Sequence, residues 1–190
     1  MPVESSLSAN RIKSDLHIIN KPARNLEGGI TRLSFSSEHI QAILYLEEQC
    51  HLLGARCFVD GAGNFIARIE GSEPELRCFS FGSHVDSVKN GGEFDGIGGV
   101  VIGLEVLRLL REGGHQLRHP VQLFGFAEEE GVLFNSALVG SRYFTRELSW
   151  DDLLSMKNVT GVSCAALADA FRAILSSRID GEMPCEAGMI

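Results

Sequence analysis

Residues 76–131 read LRCFSFGSHVDSVKNGGEFDGIGGVVIGLEVLRLLREGGHQLRHPVQLFGFAEEEG, and this stretch decides the fold. Two short strand-like runs, 76–84 and 120–127, flank residues 97–112, where apolar side chains recur with helical spacing. The second run, PVQLFGFA, is continuously apolar, as expected of a central strand buried on both faces. The strand–helix–strand order predicts an α/β fold, with a mixed, mainly parallel sheet sandwiched by helices.

The flanking sequence predicts further elements of the same domain. Two β-rich runs around DGAG (60–63) predict a hairpin. Helical spacing and capping residues predict the remaining helices: residues 7–20, a helix that begins after Ser36 or Ser37 and ends at Gly54, residues 137–146, a short helix after Ser149, and residues 163–177.

Composition excludes several classes of protein. The chain has 190 residues, 44% of them apolar and 22% charged, which suits one packed domain. A net charge of −8 argues against a nucleic-acid or anionic-membrane binder. The chain has no signal-peptide-like start and no long apolar run, so we expect a cytoplasmic protein without a membrane span. Its five scattered cysteines form no CxxC pair, which predicts reduced thiols.

Imidazole and carboxylate groups follow both predicted strands. His84 and Asp86 end the first strand, Asp95 comes after a glycine-rich loop, and residues 128–130 at the end of the second strand are glutamates. Because functional groups gather at the carboxyl ends of neighbouring strands, we expect these side chains to converge. Carboxylates that close repel one another unless they share a cation. Mixed imidazole and carboxylate ligands predict a divalent metal site, for zinc or alternatively manganese or cobalt.

Residues next to the predicted ligands can orient them. Asp86 lies two positions after His84, so its carboxylate can accept the second imidazole N–H and fix the tautomer. Glycine tolerates positive φ, so the loop of residues 91–99 can fold tightly under Asp95. The three successive glutamates leave their register open, because the residues alone do not say which of them binds metal.

Five stretches carry a family resemblance: GGITRLSFS (28–36), DGAGNFIARIEG (60–71), GSHVDSVKNGGEFDGIGGVVIGLEVLR (82–108), FGFAEEEGVLF (124–134) and LVGSRYF (138–144). In this order they resemble the zinc amidohydrolases of the acetylornithine deacetylase, aminoacylase and carboxypeptidase superfamily. The nearest branch contains the N-carbamoyl-L-amino-acid hydrolases, allantoate amidohydrolases and β-ureidopropionases. The resemblance implies the catalytic-domain fold of the co-catalytic zinc peptidases.

The resemblance also implies a role for each site residue. Of two divalent metal ions, zinc being expected, one would be bound by His84 and the other by Glu130. Asp95 would bridge both ions and be followed by a cis peptide bond. Asp86 would orient His84, and the family pattern Glu-Glu-Gly makes Glu129 the general base. The implied reaction is hydrolysis of a non-peptide C–N bond in a small carbamoyl or ureido substrate, an N-carbamoyl-L-amino acid or allantoate.

Other parts that the resemblance implies are not found in this sequence. Family members are much longer, insert a lid domain that carries their homodimer surface, and supply two later metal-binding histidines. The six histidines here lie at positions 17, 39, 51, 84, 115 and 119. We therefore expect residues 1–190 to form a C-terminally truncated part of a metallo-amidohydrolase catalytic domain, with an incomplete metal site.

Two other functions stay open at this stage. One is a compact zinc aminopeptidase, against which the lack of a histidine after residue 119 argues. For the two-metal site that the resemblance implies, Cys164 or Cys185 would be the available substitutes for the later histidines. The other is a non-catalytic interaction module that keeps the fold, against which the retention of Asp95 and of the glutamates argues.

Overall fold

The computed structural model describes residues 7–181, which form a four-stranded sheet and six α-helices. The elements are α1 (Ala9–Asn20), α2 (Ser37–Leu52), β1 (Arg56–Val59), β2 (Phe65–Ile69), β3 (Phe79–His84), α3 (Ile97–Glu112), β4 (Val121–Phe126), α4 (Val139–Phe144), α5 (Trp150–Ser155) and α6 (Cys164–Leu175). No helix in the described part of the chain has the length and apolar character needed to cross a bilayer.

Serine residues cap the N-termini of three predicted helices. Ser36, Ser149 and Ser163 each precede a helix and accept a backbone N–H from its first turn. These bonds satisfy donors that have no partner within the helix. The predicted end of α2 is also confirmed, because the chain leaves the helix through Gly54 with φ of 77°.

The sheet has the order β1-β2-β4-β3, which places the apolar strand β4 in the interior as predicted. The α/β class and the mixed sheet are confirmed, but the strand directions correct the expectation of a mainly parallel sheet. Among the described strands, β3 and β4 pair in parallel, whereas β1–β2 and β2–β4 are antiparallel. The reason is the length of the connections, since a tight turn joins β1 to β2 and only β3–α3–β4 contains a helical crossover.

Helices cover both faces of the sheet. On one face, side chains of α1, α2, α3 and α6 form the main core with alternate residues of the strands. On the other face, Phe58, Ile66 and Phe124 cluster with Phe144 of α4. The free thiols Cys50, Cys57 and Cys164 are buried and Cys78 is half-buried, whereas Cys185 lies outside the described residues.

Helix α3 approaches the sheet closely at a glycine. A Cβ atom at Gly103 would lie 2.5 Å from Leu123 Cδ1 and 3.1 Å from the Phe81 ring. The helix can therefore pack against β3 and β4 only because no side chain stands at this position. This contact fixes the helix that follows Asp95 against the two strands that carry the other polar groups.

Candidate metal centre

The parallel pairing of β3 and β4 brings the two polar loops to one edge of the sheet. His84 is opposite Phe126 in the register, and Val85 N–H continues the ladder by donating to the Phe126 carbonyl at 2.9 Å. The strands therefore end at the same level. Their following loops, which carry Asp86 on one side and residues 128–130 on the other, emerge next to each other.

The described residues contain one group of side chains with the geometry of a metal site. His84, Asp95 and Glu130 each present a ligand atom, and these atoms lie within 4.8 Å of one another. His84 Nε2 is 3.7 Å from Asp95 Oδ1 and 3.6 Å from Glu129 Oε2. These separations are too long for hydrogen bonds but leave room for a cation between the groups.

The His84 ring is held in one tautomer. Its Nδ1 lies 3.0 Å from the main-chain oxygen of Asp86, and because a carbonyl can only accept, Nδ1 carries the proton. Nε2 therefore presents its lone pair to the carboxylates of Asp95 and Glu129. An imidazole with its second nitrogen fixed in this way is prepared to bind a metal ion.

Asp95 reaches the site through a turn at the following glycine. Gly96 has φ of 64°, and a Cβ atom at this position would lie inside van der Waals contact of the His84 ring. The described residues contain no cis peptide bond, so the bond after Asp95 is trans, contrary to the expectation from the family. The positive φ of Gly96 makes the sharp turn into α3 instead. The Asp95 side chain stays 66% exposed, open to solvent and to ligands.

Asp86 is buried and contacts the opposite loop. Its carboxylate is 3.7 Å from His84 Nδ1, and the Asp86 main-chain oxygen occupies the place expected for that carboxylate. Oδ1 and Oδ2 instead accept the N–H groups of Glu129 and Glu130, each at 3.2 Å. Burial raises the pKa of Asp86, although these two hydrogen bonds act in the opposite direction. The Asp86 carboxylate thus holds the backbone of the two glutamates.

The structure separates the three successive glutamates. Glu128 is 1% exposed, and its Oε1 accepts the N–H groups of Leu133 and Phe134 at 2.8 and 3.3 Å. Burial raises the pKa of Glu128. Glu129 and Glu130 are half-buried and lie beside His84. Glu128 therefore faces the protein interior, and the next two glutamates face the candidate site.

Three polar residues that support this site were not identified from the sequence. Arg32, Ser34 and Asn64 are buried and donate to or accept from the backbone of the two site loops. Arg32 and Ser34 lie within GGITRLSFS, and Asn64 follows DGAG. The available signal was their polar character inside stretches that otherwise read as apolar or β-rich, because a buried polar residue must find partners.

The donor set fits a divalent cation. One imidazole and up to three carboxylates are the mixed nitrogen and oxygen ligands that zinc, manganese and cobalt accept. Without a cation, the carboxylates of Asp95, Glu129 and Glu130 would repel one another at this distance. Cys164 is no part of the group, because the converging ligand atoms belong to His84, Asp95 and Glu130 alone among the described residues.

Comparisons with known proteins agree with this geometry. The chain is 38% identical over 164 residues to an N-carbamoyl-L-amino-acid amidohydrolase from Paenarthrobacter aurescens, a match to 86% of this chain and 39% of that protein. It is 29% identical to the allantoate amidohydrolase of Bacillus subtilis, over 81% of this chain and 37% of that protein. The chain thus spans about two fifths of the length of these relatives.

Solved structures show the same likeness. A hydantoinase/carbamoylase family amidase from Burkholderia ambifaria superposes with a TM-score of 0.84 at 30% identity, over 91% of this chain and 42% of that chain. The model of Peptidase family M28 matches residues 64–171, which is more than half of the sequence and includes every candidate ligand. The resemblance to the carbamoyl and allantoate amidohydrolases is therefore confirmed, and the chain belongs to Peptidase family M28.

Proposed function

We propose that this chain binds divalent metal through His84, Asp95 and Glu130 and takes part in hydrolysis of a non-peptide C–N bond. The observation that carries the proposal is the convergence of the three ligand atoms within 4.8 Å, with His84 Nε2 free to coordinate. When bound, the metal would act as a Lewis acid that lowers the pKa of water and polarises the scissile carbonyl. Zinc suits these ligands, and manganese and cobalt are the alternatives.

The protein groups in this proposal have distinct tasks. Glu129, whose Oε2 lies 3.6 Å from His84 Nε2, takes the proton of the attacking water and returns it to the leaving nitrogen. Asp86 holds the N–H groups of Glu129 and Glu130 and so fixes the base relative to the ligands. The family pattern of two ions would use Asp95 as the shared ligand and requires donors beyond these three residues.

The relatives support the class of substrate. Their names specify N-carbamoyl-L-amino acids and allantoate, which both carry a ureido group. We therefore place the substrate of this protein in the carbamoyl or ureido class, as a small molecule. Residues 1–190 would serve as part of a metallo-amidohydrolase catalytic domain in the cytoplasm, and a homodimer surface would lie outside this chain.

Metal content after dialysis tests the centre. Elemental analysis of the parent should find bound zinc, and Asp95→Ala should lose most of it, because the substitution leaves two of the three proposed ligands. Glu93→Ala is the matched control, since Glu93 is also an exposed acid of this loop but pairs with Arg24. Equal zinc in the parent and in Asp95→Ala would refute the assigned ligands.

Activity is tested with two classes of substrate. Ammonia release from N-carbamoyl-L-amino acids and from allantoate measures the proposed reaction, and Glu129→Gln should abolish it while retaining the metal. Because the family model is that of a peptidase, an aminoacyl anilide is the comparison substrate. Preferential cleavage of the anilide would replace the proposed amidohydrolase by an aminopeptidase.

A further inference from the structure

We propose that Arg32 and Ser34 are positioning residues that hold the two ligand-bearing loops against each other. The segment of residues 32–34, termed here the strap, crosses the carboxyl ends of β3 and β4. It contacts the loop after each strand through buried hydrogen bonds. The inference rests on the proposed metal centre, because it assigns a task to residues that touch neither metal nor substrate.

The first half of the strap binds the loop after β3. Arg32 is completely buried, and its Nε donates to the Val85 carbonyl at 2.6 Å. Its backbone N–H donates to Ser87 Oγ at 2.9 Å, and Ser87 N–H donates back to the Arg32 carbonyl at 2.9 Å. These bonds bracket Asp86, whose main-chain oxygen accepts from the His84 ring. The strap therefore fixes the backbone that sets the tautomer of His84.

Arg32 is costly to bury, which argues that the contact is specific. Burial lowers the pKa of Arg32 to about 10, so the guanidinium still carries its charge at neutral pH. The opposing attraction comes from the buried carboxylate of Asp86. A buried cation without such partners would strongly destabilise the fold. The Arg32 guanidinium lies against the Val85 carbonyl, next to His84 in the chain.

The second half of the strap binds the loop after β4. Ser34 is 4% exposed, and its Oγ accepts the Glu128 N–H at 2.7 Å. The four successive N–H groups of residues 127–130 all donate to side chains from other elements: Asn64, Ser34 and twice Asp86. The carbonyls of residues 127–129 accept the N–H groups of residues 140, 139 and 138, so the backbone holds one side of this segment. The side-chain acceptors hold its N–H groups on the other side.

The register of the glutamates follows from these bonds. Glu128 adopts a left-handed φ of 52°, which is unfavourable for a residue with a side chain and must be held by its surroundings. Three kinds of hydrogen bond restrain Glu128: its N–H donates to Ser34 Oγ, its carbonyl accepts the Val139 N–H, and its carboxylate accepts from the interior backbone. A shift by one residue would bury Glu129 and move Glu128 into the site. Ser34 thus contributes, together with the backbone bonds of residues 138–140, to the register that makes Glu129 and Glu130 face His84.

Ser34→Ala tests the strap without removing any candidate ligand. We expect amide hydrogen exchange at residues 128–130 to accelerate at least tenfold, while α2 and α3 keep their protection. We also expect the affinity for Co²⁺, followed by its visible absorption, to fall about tenfold, because one buried N–H loses its acceptor. Ser34→Thr restores the hydroxyl and should restore both. Ser176→Ala, which removes a hydroxyl bonded to Ala173 O on α6, is the matched control.

The outcomes separate the strap from the metal centre. Unchanged exchange at residues 128–130 in Ser34→Ala would overturn the strap. Faster exchange throughout α2 and α3 would also overturn it, because the hydroxyl would then act on global stability. If the parent binds no Co²⁺, the proposed centre fails. The exchange measurement still decides in that case whether Ser34 holds the glutamate loop, so the two failures are distinguishable.

Discussion

At the scale of single residues, the His84 ring depends on a glycine that contributes no side chain. A Cβ atom at Gly96 would overlap the imidazole, whereas one at Gly92 meets nothing within 4 Å. Gly96→Ala should therefore displace the ring and weaken Co²⁺ binding at least tenfold, beyond the strain of φ 64°. Gly92→Ala should bind like the parent. Isothermal titration of both variants measures this, and equal affinities would contradict the geometry.

His39 gives the fold a dependence on pH. The ring is buried and stacks on Phe171 at 4.8 Å, and its Nδ1 accepts the Phe35 N–H at 3.0 Å. Burial, reinforced by the charge of Arg32, lowers the pKa of His39 from 6.5 to about 3. Between pH 6.5 and about pH 3, His39 is protonated in the unfolded chain but neutral in the folded chain. The contribution of His39 to the free energy of unfolding should therefore fall by about 1.4 kcal/mol per unit as pH decreases through this window.

Urea denaturation between about pH 4 and pH 7 measures that slope. His39→Gln should lose this component, so the difference in unfolding free energy between parent and variant should change by about 1.4 kcal/mol per pH unit. Asp60, whose pKa burial raises to about 6, contributes with the opposite sign, because its protonated form is favoured by the fold. The comparison is therefore made between parent and variant, and parallel profiles would show that His39 does not titrate in this way.

Single residues also show how much of the candidate site could be predicted from the sequence. His84, Asp95 and the glutamates could be proposed as ligands because their residue types and their places at strand ends are visible in the sequence. The task of Asp86 could not, because its carboxylate acts on backbone N–H groups 43 and 44 positions away. Every residue except proline has a backbone N–H, so the residue type of the donor does not indicate such a hydrogen bond. Only the fold shows which N–H groups Asp86 reaches.

At the scale of elements, two of the three glycines in helix α3 have opposite surroundings. Gly103 is enclosed by Leu123 and Phe81, whereas a Cβ atom at Gly98 would make an ordinary contact 3.7 Å from Phe94 Cβ. Gly103→Ala should destabilise the protein by about 1–3 kcal/mol through overpacking. Gly98→Ala should stabilise it by about 0.5–1 kcal/mol through helix propensity. Urea denaturation of both variants tests this, and equal effects would contradict the close approach of α3.

The elements themselves were largely predictable, since serine caps and apolar spacing are local signals. α3 (Ile97–Glu112) occupies the predicted range. Strand direction was harder to predict, because it depends on which strands pair across the sheet. The contact of β2 with β4 joins residues more than fifty positions apart, and nothing within either strand specifies it.

At the scale of the whole molecule, one edge of the sheet is unpaired. Within residues 7–181 no strand adjoins β3 on the side away from β4. Backbone N–H and C=O groups alternate in direction along a strand, so those of Ser80 and Gly82 point away from β4. An apolar groove of about 350 Å³ runs beside this edge, lined by Phe79, Phe81, Val106, Leu110, Leu117, Arg118, His119 and Val121. Exposed edges with apolar neighbours promote association.

This edge predicts concentration-dependent association of the chain. Phe79 is 68% exposed beside the groove, so Phe79→Lys should shift the molecule towards monomer by placing a charge on the edge. Ile174→Lys is the matched control, because Ile174 is 59% exposed on α6, away from the sheet edge. Sedimentation velocity across a concentration series compares them. A parent that stays monomeric throughout, or two variants that behave alike, would refute the prediction.

The β3–α3–β4 unit has a consequence for heredity. The three candidate ligands and the proposed base all lie between positions 84 and 130, and one crossover brings them together. One continuous segment of the chain, residues 84–130, therefore contains these four residues. Gene duplication, transfer or recombination that moves this segment intact moves the cluster intact. A breakpoint between positions 95 and 129 would separate Asp95 from both glutamates and leave neither product with the full group.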